Sequence, residues 1–139
     1  MESIKLGFDA VEETQETAPA KPKRLPYATW TVAGKEYKMK LTADKITRLE
    51  KQFGRNLLLV ITDDGMPPLS TMLTVIQAAL LVFHHGINFA DVQTMYDDFV
   101  DEGGDQTELL KEVIMPLMAV SGFFTPAQAT ELKKEMETI

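Results

Sequence analysis

The hydrophobic rhythm of the chain changes at Leu41, and that change separates two kinds of structure. From Ala28 to Leu41 apolar positions recur every second residue. Trp30 and Val32, then Tyr37, Met39 and Leu41, share one face, and Thr31, Lys38 and Lys40 share the other. Ala33-Gly34 has the chemistry of a two-residue turn, so the pattern predicts a β-hairpin with Trp30 opposite Tyr37. Two strands alone are marginal in water. The hairpin must therefore lie on the helices or complete another chain's sheet.

Beyond Leu41 the period becomes helical. Thr42 caps a first helix that Gly54 ends; Leu41 and Ile46 form a hydrophobic staple, and Ile46, Leu49, the stem of Lys51 and Phe53 supply the inner face. The apolar run from Asn56 to Ile61 either extends this helix or forms a buried connection, and Asp63-Asp64-Gly65-Met66-Pro67-Pro68 is a loop. A second helix, from about Ser70 to His85 and closed by Gly86, is apolar nearly all round. Such a helix is central in its domain or covered by a partner.

Asn88 caps a third helix, with Ile87 and Val92 as staple. Its stripe is Phe89, Val92, Met95-Tyr96 and Phe99-Val100, its outer face carries Asp91, Asp97, Asp98 and Asp101, and Gly103-Gly104 stops it. Asp105 to Glu108 has the form of a capping box for a fourth helix through Leu109-Leu110, Val113-Ile114 and Leu117-Met118. Pro116 removes a backbone bond inside it, which predicts a kink or break. Thr125-Pro126-Ala127-Gln128 opens a last, peripheral helix anchored by Leu132 and Met136.

The predicted fold is mainly α: an N-terminal β-hairpin followed by a compact bundle of about five helices. Residues 1–26 read as a flexible N-terminal tail and 27–139 as a single α-helical domain that begins with the hairpin (27–42). The stretch from Glu12 to Arg24 has too little apolar surface to offset its ordering entropy. Ahead of it Ile4, Leu6 and Phe8 alternate with Lys5 and Gly7, which suits either a frayed terminus or a short strand for another sheet edge.

Composition narrows the function classes. With 139 residues, 45% hydrophobic and 25% charged, the chain can bury an ordinary core. It has no cysteine, which excludes disulfides, thiolate metal sites and cysteine nucleophiles and fits a reducing compartment. The longest apolar stretch, Met72 to Phe83, is too short for a membrane span and contains Gln77; nothing resembles a signal peptide, and a cytoplasmic location is expected. The net charge of −7, densest in acids from Asp91 to Glu112, opposes nucleic-acid binding and points to basic or apolar protein partners.

Candidate chemistry is sparse. Adjacent helical residues such as His84-His85 diverge by roughly 100°, so they cannot chelate one metal; near Gly86 they suit a helix C-terminus, where a partly protonated imidazole meets the dipole. Ser121-Gly122 lacks the nucleophile-elbow pattern and reads as a cap or turn. Asp97, Asp98, Asp101, Glu102 and Asp105 lack calcium-loop spacing and read as a solvated face. No glycine-rich phosphate loop occurs. The expectation is a non-enzymatic binding protein with no catalytic, cofactor-binding or metal residues. Its eight methionines suit both a core and an adaptable surface.

The order of segments resembles the tail assembly chaperone family of long-tailed phages and prophages of Gram-positive bacteria. The matching pieces are Trp30-Thr31-Val32-Ala33-Gly34-Lys35-Glu36-Tyr37-Lys38-Met39-Lys40-Leu41-Thr42, Ile46-Thr47-Arg48-Leu49-Glu50-Lys51-Gln52-Phe53-Gly54, Asn56-Leu57-Leu58, Pro68-Leu69, Phe83-His84-His85-Gly86 and Val120-Ser121-Gly122-Phe123-Phe124. They span about Ala28 to Phe124 and carry weight through their order and spacing. The resemblance implies a protein of the host bacterial cytoplasm, absent from the mature virion, that keeps the tape measure protein soluble and delivers it for polymerisation of the tail tube protein. It also implies a longer form made by frameshifting near the end of the gene. The expected client-contacting residues are Phe83, Tyr96, Phe99, Phe123 and Phe124, each of which also fits a core role. The apolar second helix adds an expectation of a homo-oligomer. A structural virion protein (head–tail joining or tail-tube component) and a small acidic regulatory binding protein are the alternatives.

Overall fold

A computed structural model describes residues 23–63 and 65–137. The alternation at Ile4, Leu6 and Phe8, and the side chains of Leu132 and Met136, lie outside the described residues. The elements are β1 (Ala28–Val32), β2 (Lys35–Met39), α1 (Ala43–Phe53), α2 (Leu57–Thr62), α3 (Leu69–Leu80), α4 (Phe89–Asp101), α5 (Gln106–Leu109), α6 (Met115–Val120) and α7 (Pro126–Glu137). A π-helical turn, Leu110–Ile114, joins α5 to α6. The fold is mainly α, a two-stranded antiparallel hairpin followed by helices.

The hairpin register places Trp30 opposite Tyr37 and Val32 opposite Lys35. Ala33 (φ 52°) and Gly34 (φ 76°) both occupy the left-handed region, as a type I′ turn requires. An alanine pays steric strain there, and the Glu102 carboxylate holds it by accepting the Ala33 N–H at 2.9 Å. Ala28, Trp30 and Val32 are buried while Thr29 and Thr31 face out, so the hairpin lies on the helices through one face. Its outer edge is tied to α3 and the turn that follows: the Lys40 N–H donates to the Ala79 carbonyl, and the Lys38 N–H to Nε2 of His84.

Local chemistry sets most helix ends. Thr42 Oγ1 accepts from the Lys45 N–H, and Gly54 closes α1 in a left-handed conformation. Leu49 is buried and Ile46 and Phe53 half-buried, but Lys51 is exposed, since it lies two residues from both Leu49 and Phe53 on the far side of the turn. The run after Asn56 is a separate short helix: Asn56 Oδ1 accepts from the Leu58 and Leu59 N–H groups, and Glu50 accepts from Leu57. α4 begins with a complete capping box between Asn88 and Asp91, and α7 with reciprocal Thr125 and Gln128 bonds. Asp105 accepts from the Glu108 N–H at α5.

α3 stops at Leu80, short of the predicted end at His85. Residues 81–86 turn instead, with His84 drawn onto β2 by its contact with Lys38. Met72, Leu73, Val75, Ile76, Ala79 and Leu80 are all buried. The apolarity of this helix is therefore consumed inside the domain, at the centre of a core that also takes Leu57, Ile61, Val92, Leu109, Ile114, Leu117 and Met118. Pro116 does not break its helix. The Met115 N–H bonds the Leu110 carbonyl five residues back, and this widened turn absorbs the disturbance one residue before the proline.

Candidate protein-binding surfaces

The five aromatic residues expected to contact a client fall at three places, and they differ in burial. Tyr96 and Phe99 belong to α4. Phe99 is buried, its ring edge-on to Trp30 at 5.8 Å and 6.1 Å from Tyr96. A Cβ built on Gly104 would sit 2.5 Å from the Phe99 ring, so the glycine is needed for this packing. Phe99 serves the core, and Tyr96 is half-buried beside it. Val100, assigned by its spacing to the same stripe, is 41% exposed: it lies one residue beyond Phe99 and turns toward the acidic face.

Phe123 and Phe124 follow α6. Gly122 (φ 93°) turns the chain, and the Phe123 N–H reaches back to the Met118 carbonyl. Arg24 donates to the carbonyls of Ala119 and Phe124, so contacts with the helical body begin inside the segment expected to be tail. Ser121 is structural: its Oγ accepts the Leu41 N–H at 2.9 Å, joining the hairpin exit to the end of α6. Phe124 is buried, but Phe123 is only half-buried. Both line an open cavity of about 360 Å³ with Leu58 of α2 and Gln128 and Glu131 of α7. Its apolar wall and polar rim suit the apolar face of a helix. The apolar run around Leu58 carries no clear periodicity that would mark it in the sequence as part of a groove.

Phe83 stands alone among the five in being exposed, at 39%. It meets the Tyr27 ring edge-on at 5.8 Å, and Lys38 Nζ lies 4.8 Å from that ring. Alongside, Tyr37 packs edge-on to His84 at 5.3 Å under Lys35 Nζ at 5.0 Å. The result is a band of two aromatic pairs, adjacent in sequence through Phe83 and His84, each carrying one lysine.

The environment of His84 differs from the expected one. Nε2 accepts the Lys38 N–H, so the ring is neutral with its proton on Nδ1. Desolvation lowers its pKa below 6.5, and the positive charges of Lys35 and Lys38 lower it further. It is a hydrogen-bond acceptor for the hairpin and not a cation at a helix end.

Among the described residues no group of three or more metal-ligating side chains converges, and no helix is long and apolar enough to cross a membrane. A family model described as a family of unknown function (DUF6096) matches residues 26–139. No curated protein and no solved structure matches the chain.

Proposed function

The chain belongs to the DUF6096 family, and we propose that it is a tail assembly chaperone of a long-tailed bacteriophage, a non-enzymatic protein that binds the tape measure protein in the host cytoplasm and keeps it soluble. The observation that carries this reading is the groove of Leu58, Phe123 and Phe124 beneath Gln128 and Glu131. A chaperone of a long helical client needs apolar surface that is reachable and yet small enough to stay soluble alone. Phe123 meets both needs, being half-buried against the core with its remainder facing the groove. The acidic outer face of α4 contributes solubility. The choice of the tape measure protein as client rests on the ordered likeness of the segments from Trp30 to Phe124 to the tail assembly chaperone family.

The test is co-expression with a tape measure protein from the same phage genome. A client that is insoluble alone, and soluble and co-purified in the pair, supports the proposal. A client whose solubility is unchanged by the pairing defeats it. Phe123→Ala should weaken co-purification while the chain keeps its fold by circular dichroism; undiminished capture would move the binding surface elsewhere.

A further inference from the structure

Buried as it is, α3 gives no reason for self-association, but two exposed surfaces of the chain complement each other. The first is the aromatic band at the end of α3, where Phe83 is exposed beside Tyr27 and Lys38, and Tyr37 beside His84 and Lys35. The second is the outer face of α4, where Val100 is exposed. Asp97, three residues before it, is its neighbour on the helix surface, and Asp101, four residues after Asp97, continues the acidic strip alongside. Each surface thus has one exposed large apolar side chain set among charges, and the charges are opposite in sign.

Those charges are also free to be used. Arg48 pairs with Asp44 and Arg55 with Asp63. Lys35 and Lys38 contact rings, and Asp97 and Asp101 join neither pair. An exposed Phe83 ring beside lysine-capped tyrosines is suited to a partner that offers both an aliphatic side chain and carboxylates, because the ring is desolvated while the ammonium groups gain opposite charge.

We propose that the Phe83 band of one copy docks on the Val100 face of α4 in a second copy, with Lys38 and Lys35 meeting Asp97 and Asp101. The two surfaces lie on different elements, so the contact occurs twice in a closed pair or once per step in a ring. Its small apolar centre and exposed charges make it weak, reversible and sensitive to salt.

Sedimentation of the full-length chain across a concentration series, in low and high salt, tests this directly. The expected result is self-association in low salt whose dissociation constant rises by about tenfold or more on moving from 0.05 M to 0.5 M salt. Phe83→Ala, Lys38→Glu and Asp97→Lys should each weaken it, all three being exposed positions whose variants keep the wild-type circular dichroism spectrum. Combining Lys38→Glu with Asp97→Lys should restore association. A chain that stays monomeric throughout, association indifferent to Phe83→Ala and to salt, or a double variant no better than either single one would overturn the proposal.

Discussion

The two ends of the helical body are built on different principles. Where the hairpin meets α3 and α4, long-range polar bonds hold the parts: Lys38 to His84, Lys40 to Ala79 and Ala33 to Glu102. Across the α2–α7 groove the wall is the incompletely covered apolar surface of Leu58, Phe123 and Phe124, faced by the polar Gln128 and Glu131, and the described side chains of α7 are all exposed. Directional bonds fix one arrangement, whereas a half-covered apolar contact tolerates several at similar energy. The hairpin end is therefore suited to be a rigid anchor and the groove end to be the adaptable one. Local opening should accordingly be easier at the groove.

The largest expected effect is at the anchor. Trp30→Ala removes a side chain that is 97% buried and packed on Phe99, and should cost about 3–5 kcal/mol in a denaturant titration. A cost under about 1 kcal/mol would mean that the hairpin contributes little to the fold. Gly104→Ala comes next. Its methyl collides with the Phe99 ring at a backbone position that has no room, and overpacking of this kind costs about 1–3 kcal/mol.

Acid should act on the same end. An imidazole whose folded pKa lies below 6.5 binds fewer protons folded than unfolded. The stability it provides is full above 6.5 and is lost as pH falls through 6.5 toward the lower folded value. Protonation would also take Nε2 from the Lys38 N–H. Melting temperatures at pH 7.5 and 5.5 should therefore differ less in His84→Gln than in the wild-type chain, and equal differences would show that His84 is not the sensor. The smallest effect belongs to the groove: Phe123→Ala should cost only about 1 kcal/mol of stability, because part of the ring is already in water. A cost of 3 kcal/mol or more would place Phe123 with the anchor residues and remove the contrast.

What could be read from sequence was what depends on neighbours in sequence. Thr42, Asn88, Thr125 with Gln128, Gly54 and Gly103-Gly104 announce helix ends because a cap is a bond between residues three to five apart. The hairpin register followed from alternation and a two-residue turn. α3 ends before its periodicity predicts because the bond that draws His84 away comes from Lys38, 46 residues earlier. Ser121 was legible as a turn residue, but its partner Leu41, 80 residues away, was not. For the binding surface, aromatic identity alone did not separate Phe99 and Phe124, which are buried, from Phe83, which is exposed. That distinction arises from the packing of several elements at once.

The widened turn before Pro116 also governs the phase of the helix that contains it. Leu109, Val113 and Leu117 recur every four residues, as do Leu110, Ile114 and Met118. In a regular α-helix each such step overshoots a full revolution by about 40°, so a four-residue repeat would wind away from the core. A turn closed by a five-residue bond rotates more slowly and takes back that excess, much as a leap day realigns a calendar. The apolar repeat and the extra width are matched to each other. Deleting one residue within Leu110–Ile114 would leave the composition of the helix nearly unchanged, yet swing Leu117 and Met118 by about 100° relative to Leu109.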